Sequence, residues 1–171
     1  VSWSSAGTAC GASSMTTSRT VRTSASVCSS VIVPVSAAGA TEKIVTAVEE
    51  SGGVVVCYEN CVGAKSAERL VETSGDPYDA IADRYLQIGC SVMTPNANRF
   101  ELLRSLIKEF KVDGVVEMTL QACHTYAVET YDVRKAMKEI DIPFISVETD
   151  YSNADVGQLK TRLGAFVEML S

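Results

Sequence analysis

The sequence predicts an α/β domain in which helices flank a parallel sheet of roughly four strands. Short runs rich in β-branched residues alternate along the chain with longer segments whose apolar residues recur every three or four positions. Strands that alternate with helices pair in parallel, because each crossover returns the chain to the same end of the sheet. With 171 residues, of which 46 % are hydrophobic, the chain is long enough to bury one core.

Residues 1–30 differ in composition from the rest of the chain. Half of them are Ser or Thr, and none of the 21 acidic residues precedes Glu42. Because no apolar period is found there, we expect a poorly ordered segment at 1–30 and one folded lobe at 31–171. The abrupt change is typical of a Ser/Thr-rich linker or of translation in a shifted reading frame.

The first half of the predicted lobe contains two strands and three helices. A strand is predicted at 31–35 and a helix at 41–51, which Gly52 and Gly53 end. A strongly β-branched strand follows at 54–58, and then a short helix at 66–72. Asp76 and Pro77 mark the start of a helix that reaches about residue 86, since Asp is a good N-cap and Pro suits the first helical position.

The second half repeats the alternation of helix and strand. Apolar residues at 100, 103, 106, 107 and 110 predict an amphipathic helix. The run at 114–118 is typical of a strand buried on both faces. A helix at 126–139, a strand at 144–148 and a helix at 155–170 complete the lobe.

Cysteines are the first candidates for chemistry, and the chain has six, at positions 10, 28, 57, 61, 90 and 123. Cys61 follows the second predicted strand and Cys123 follows the third. The carboxyl ends of parallel strands meet at one edge of a sheet, so we expect these loops to converge. Thiolates there suit an iron–sulfur cluster or zinc, whereas buried thiols without metal are the alternative. Cys57, inside a strand, is expected in the core, and Cys90 could belong to either group.

Two further polar residues lie near the same edge. His124 is the only histidine, which excludes a zinc site with several histidines; it is either a polar residue at a helix start or a proton donor beside a metal. Asp150 follows the fourth strand and serves either chemistry or helix capping.

The charge and the hydropathy of the chain exclude two classes of function. A net charge of −6 argues against nucleic-acid binding, and no apolar run approaches the roughly 18 residues that a membrane helix needs. Since no apolar run resembles a secretory signal either, we expect a soluble, cytoplasmic protein, and in that reducing compartment several cysteines favour metal or redox chemistry.

Several segments are together recognisable: GDPYDAIADRYL from Gly75, VDGVV from Val112, QACHTY from Gln121, ETDYS from Glu148 and GQLKTRLGAFVEML from Gly157. They resemble the carboxyl-terminal half of the 2-hydroxyacyl-CoA dehydratase D-component family, which includes benzoyl-CoA-reductase-type subunits and double-cubane-cluster reductases. The ENCVG segment from Glu59 is most similar to the double-cubane branch. Residues 1–38 show no similarity to the family's upstream lobe.

This resemblance implies a three-layer Rossmann-like lobe of an oxygen-sensitive iron–sulfur subunit that carries a 4Fe-4S or double-cubane cluster. It implies Cys123 as the first cluster ligand, Cys61 as the second and Cys90 as the third. His124 and Asp150 are the candidate catalytic residues. An alternative without catalysis is a Rossmann-like binding or interaction module with buried thiols, and a zinc-stabilised fold is another.

The implied partners follow from the family's chemistry. An ATP-hydrolysing activator protein would supply single low-potential electrons. One electron would turn a 2-hydroxyacyl-CoA thioester into a ketyl radical, which loses water more readily, or would reduce a small molecule. The subunit would pair as a homodimer or with a related subunit, and neither nucleic acid nor a membrane is implied.

Overall fold

The computed structural model describes residues 29–34, 40–60 and 63–171. In chain order the elements are β1 (Ser29–Pro34), α1 (Thr41–Glu50), β2 (Gly53–Glu59), α2 (Ala64–Ala67), α3 (Pro77–Leu86), α4 (Ala97–Phe110), β3 (Gly114–Leu120), α5 (His124–Glu139), β4 (Phe144–Thr149) and α6 (Val156–Leu170). The α/β class, with a parallel sheet flanked by helices, is confirmed. No helix in the described part of the chain has the length and apolar character to cross a membrane.

The four strands form one parallel sheet in the order β2–β1–β3–β4. In the centre of the sheet, Ile32 of β1 pairs with Cys57 on one side and with Val115 on the other. Glu59 and Glu117 therefore lie at the same height, each two residues further along its strand. Because side chains alternate across a sheet, they also face the same side as Cys57 and Val115. We call the end of the sheet beyond these residues the carboxyl edge.

Helices cover both faces of the sheet. On one face, α1 and α6 pack against Val116 and Met118 of β3, through a core that includes Ile44, Leu163 and Phe166. On the other face, α4 and α5 pack against Cys57 and Val115; their buried residues are Leu102, Leu103, Leu106, Ile107, Val133, Ala136 and Met137. The periodic apolar positions of α4 thus turn toward the sheet, as the sequence predicts.

The boundaries of some elements differ from the sequence predictions. β3 runs to Leu120, two residues beyond the predicted end, so that Cys123 follows the strand after a turn of two residues. The helix predicted at 66–72 is wrong: α2 ends at Ala67. The residues that follow it have no buried apolar face, and the side chain of Leu70 is 90 % exposed, so tertiary packing does not sustain a longer helix there.

The helix predicted to begin at Asp76 and Pro77 is confirmed as α3. The Asp76 carboxylate accepts hydrogen bonds from the backbone N–H groups of Tyr78, at 2.8 Å, and Asp79, at 3.2 Å. Residues 1–28, 35–39, 61 and 62 lie outside the described part of the chain. The weak order expected at 1–30 therefore stays a prediction, although β1 already begins at Ser29.

Candidate functional site at the carboxyl edge

Cys123 occupies the turn that joins β3 to α5. Its backbone N–H donates to the Leu120 carbonyl at 2.9 Å, and Ala122 has a left-handed φ of 63° that turns the chain sharply. α5 begins at the next residue, His124, and the Cys123 carbonyl accepts from the Ala127 N–H at 3.1 Å. The Cys123 thiol is free and half-buried. The strand, the turn and the helix together place this thiol at the carboxyl edge.

Cys90 lies in the link between α3 and α4, and its thiol is also free and half-buried. Its carbonyl accepts two hydrogen bonds, from the Met93 N–H at 2.9 Å and from Asn96 Nδ2 at 2.8 Å. The neighbouring Gly89 contacts the first turn of α4 so closely that an added Cβ would lie 2.7 Å from the Arg99 nitrogen. The backbone that carries Cys90 is therefore held against α4.

Of the other four cysteines, Cys57 alone lies among the described residues. Cys57 is buried in the core between β2 and the helices α4 and α5, which confirms the sequence prediction. Cys61 lies outside the described residues, directly after the buried Asn60. Within the described ranges, no three His, Cys, Asp or Glu side chains come together as a metal site.

An iron–sulfur cluster fits these residues in kind, because half-buried free thiols are the donors that it needs. The described thiols at Cys90 and Cys123 do not by themselves make a full set of ligands. The shared site of Cys61, Cys90 and Cys123 stays a prediction.

The two candidate catalytic residues lie near the carboxyl edge. His124 is the exposed first residue of α5. Asp150 follows β4 directly; its carboxylate is about half exposed and accepts from the Ser152 N–H at 2.7 Å. Asp150 therefore closes a local turn instead of capping α6, whose N-cap position is occupied by Asp155. A catalytic role of either residue stays a prediction.

Asp155 is part of a polar contact that joins α1, β4 and α6. Its carboxylate accepts from Lys43 Nζ at 2.7 Å and from the Thr149 hydroxyl at 2.5 Å. Burial opposes the ionised form, but these hydrogen bonds and the Lys43 charge lower the pKa of Asp155. Lys43 is thus engaged by an acid and is not a free cation for a ligand.

Below the carboxyl edge lies a cluster of five buried charged side chains, which we call the charge network: Glu59, Lys65, Arg99, Glu117 and Glu129. Arg99, in the first turn of α4, lies at its centre. Its Nε is 3.2 Å from a Glu59 oxygen, its Nη1 forms an ion pair with Glu129, and its Nη2 is 3.9 Å from a Glu117 oxygen. Lys65 binds the other Glu59 oxygen at 2.7 Å.

The ring of Tyr126 completes the packing of the charge network. The Arg99 guanidinium lies 5.1 Å from the ring centroid and Lys65 Nζ lies 5.6 Å from it, both within the range of cation–π attraction. Tyr126 belongs to the first turn of α5, which starts directly after Cys123. The two cations of the network therefore pack against the helix that carries this thiol at its start.

Burial and ion pairing act in opposite directions on the charge network. Burial would lower the pKa values of Lys65 and Arg99, but the nearby carboxylates outweigh it and raise both, so these side chains remain charged. Burial raises the pKa of Glu117, although Thr130, Arg99 and Ser146 favour its ionised form.

Residues 31–170 match the family model described as 2-hydroxyglutaryl-CoA dehydratase, D-component. The chain belongs to this family. Family membership confirms the resemblance that the motifs around Asp76, Cys123 and Asp150 indicate.

Three relatives in the family differ in their similarity to the chain. "Putative dehydratase subunit YjiM" of Escherichia coli (strain K12) is 56 % identical over 133 residues, which are 77 % of this chain and 35 % of the relative. The (R)-phenyllactyl-CoA dehydratase beta subunit of Clostridium sporogenes is 24 % identical over 76 % of this chain and 35 % of its own. The (R)-2-hydroxyglutaryl-CoA dehydratase subunit beta of Acidaminococcus fermentans is 33 % identical over 42 % of this chain and 19 % of its own. The chain thus spans about a third of the length of the first two relatives.

The charge network of this dehydratase-family chain is the part of the site that sequence reasoning missed. One signal was available: Glu117 interrupts the apolar run of β3 between Val116 and Met118, and a buried strand carries a charge only if a partner meets it. Arg99 gave no such signal, because an arginine in the first turn of an amphipathic helix is ordinarily solvated.

Proposed function

We propose that this chain is the second, Rossmann-like lobe of an iron–sulfur subunit in a 2-hydroxyacyl-CoA dehydratase-family enzyme. Its membership of the family and the names of two relatives, both beta subunits of CoA-thioester dehydratases, support the proposal. The observation that carries it is Cys123, a free half-buried thiol held in the turn between a buried strand and its helix. Ligand sites of parallel α/β sheets lie at such turns.

The proposed ligands are Cys123, Cys61 and Cys90, in that order of importance. A bound cluster, of the 4Fe-4S or the double-cubane type, supplies single electrons at low potential. Burial of the thiols and hydrogen bonds around them tune that potential. The substrate is a 2-hydroxyacyl-CoA, which loses a hydroxyl group and a proton as water while the electron is returned, or a small molecule that is reduced.

His124 and Asp150 are the proposed proton-transfer residues. His124 is exposed beside Cys123, so its side chain can serve as the proton donor to the departing hydroxyl group. Asp150 is half-exposed at the same edge, so its carboxylate can accept a proton from the substrate.

The proposed partners are an ATP-hydrolysing activator protein, which delivers the electrons, and a second copy of the chain or a related subunit. Two relatives are named as beta subunits, which supports pairing with another subunit. We place the enzyme in the cytoplasm, where thiols stay reduced.

The deciding experiment measures iron and acid-labile sulfide per chain after anaerobic reconstitution of the parent, Cys123→Ala and Cys57→Ala. The matched control is Cys57→Ala, because that thiol is 2 % exposed and lies in the core. We expect iron and sulfide in equal amounts in the parent and in Cys57→Ala, and a loss of most of both in Cys123→Ala.

Two results would contradict the proposal. Iron and sulfide near zero in the parent would favour a binding or interaction module whose thiols are simply buried. Equal losses in Cys57→Ala and Cys123→Ala would show that metal retention follows fold stability and not ligation at the carboxyl edge.

A further inference from the structure

The charge network and Asn96 together connect the three chain segments that carry the candidate ligands. Glu59 precedes Cys61 by two residues and Lys65 follows it by four, and their 2.7 Å ion pair joins the two ends of that loop. Arg99 binds Glu59 on one side and Glu129 of α5 on the other. The segment around Cys61 is thus linked through Arg99 to the helix that begins after Cys123.

The link to the third segment is made by one side chain, Asn96. Its Nδ2 donates to the Cys90 carbonyl at 2.8 Å and to Glu129 Oε1 at 2.6 Å. Asn96 stands at the N-cap position of α4, yet its side chain makes no capping bond, and the residue is only 6 % exposed. Its amide is therefore engaged in holding the Cys90 backbone to the second turn of α5.

We propose that Asn96 is a positioning residue that fixes the segment carrying Cys90 to the helix that begins after Cys123. This inference rests on the proposed function, since it concerns how these thiols are held for metal. A metal site binds tightly when its ligand side chains are already held at the distances that the metal requires. A buried amide that joins a carbonyl to a carboxylate provides this, because breaking either bond leaves a buried polar group without its partner.

The test compares Asn96→Asp with Asn98→Asp in the metal-free chain. The first variant keeps the size of the side chain, removes both donated hydrogens and sets a second carboxyl beside Glu129. The second variant is the control: Asn98 lies in the first turn of the same helix, at a more exposed position, and donates from Nδ2 to the Gln87 carbonyl at 3.0 Å, a hydrogen bond that does not involve Cys90.

The readout is the rate at which iodoacetamide alkylates each thiol, followed by peptide mass spectrometry under anaerobic conditions. We expect Asn96→Asp to speed alkylation of Cys90 about tenfold or more, the factor that corresponds to losing one hydrogen bond to a charged group. Asn98→Asp should leave it within about twofold. Cys57 reports on the core and should react at the parent's slow rate in both variants.

A second readout is the thiolate-to-metal charge-transfer absorption of added Co²⁺. It should saturate at about tenfold higher Co²⁺ in Asn96→Asp than in the parent and Asn98→Asp. Absence of Co²⁺ and iron binding in the parent would reject the proposed function, while the alkylation rates would still decide the role of Asn96.

Several outcomes overturn the role proposed for Asn96. One is an unchanged Cys90 rate in Asn96→Asp; another is an equal acceleration of Cys57 and Cys90, which would show general loosening. If the variant does not fold, hydrogen exchange of the parent decides. The N–H groups of Cys90 and Met93, bonded at 2.8 and 2.9 Å, should be protected as strongly as the second turn of α5, and exchange at the rate of a free loop would overturn the proposal.

Discussion

Replacing Arg99 with methionine tests the energetic weight of the charge network. The guanidinium is fully buried, and so is Glu59; Glu129 is 8 % exposed. Without Arg99, Glu59 keeps its 2.7 Å contact with Lys65, whereas Glu129 keeps only the neutral amide of Asn96. The variant therefore leaves Glu129 buried without a cation, and it also removes the guanidinium 3.9 Å from Glu117. Methionine fills most of the arginine's volume, so the loss of charge and not a cavity dominates.

The expected cost is about 3–5 kcal/mol of unfolding free energy, the range for removing one partner of a buried ion pair. That is a large share of the roughly 5–15 kcal/mol by which a domain is stable. The assay is urea denaturation followed by far-UV circular dichroism. The matched control is Arg104→Met, on the same helix, which breaks a half-exposed 3.4 Å pair with Glu139 and should cost about 0–1 kcal/mol.

A double variant sharpens the test. Adding Glu129→Gln to Arg99→Met removes the uncompensated charge and should recover about 1–3 kcal/mol, although Glu129→Gln alone destabilises the parent. The reasoning is refuted if Arg99→Met costs no more than Arg104→Met, or if the penalties of the two single variants simply add.

Three further predictions concern single positions. The pKa of Glu117 is raised in the folded state, so the folded state binds the Glu117 proton more tightly than the unfolded state. The stability that this proton contributes is fully present below the unfolded pKa of about 4.3 and is lost as the pH rises through the folded pKa. Glu117→Gln, which stays neutral, should gain on the parent by about 1.4 kcal/mol per pH unit across that window, and parallel stability curves would contradict this. Gly89→Ala should lower the free energy of unfolding, measured by urea denaturation, by about 1–3 kcal/mol, because the added Cβ would meet the α4 backbone. Gly157→Ala is the control: it has open space around it and should stabilise α6 by about 0.5–1 kcal/mol. Asp76→Ala should speed hydrogen exchange throughout α3, which has no buried residue to hold it, and leave α4 unchanged; equal acceleration in both helices would refute the local role of this cap.

Much of the fold could be predicted because its signals are local. The Asp76 carboxylate that caps α3 accepts from residues two and three positions away, and the apolar period of α4 is readable within one helix. The helix expected at 66–72 failed for the complementary reason. Its local composition allows a helix, but no surface of the sheet receives residues such as Leu70, and helices are sustained mostly by packing.

The candidate site could be predicted only in part. The position of Cys123 after a buried strand follows from the pattern of β3 and from parallel pairing. The order of the strands in the sheet does not follow from the apolar pattern, because the pattern of one strand does not say which strands are its neighbours. The structure places β1 between β2 and β3, so Cys61 and Cys123 follow strands that are not neighbours.

The sequence alone determined the alternation of strands and helices, the position of Cys123 in the turn after a buried strand, and the family. These are properties of short segments, set by side-chain period, capping and motif. Only the tertiary structure decided that Glu59, Arg99, Glu117 and Glu129 share one buried space, since they come from two strands and two helices up to 70 positions apart. Apart from Glu117, which interrupts the apolar run of β3, these charges are unremarkable in their own segments, and their burial is tolerable only because the fold brings opposite charges together.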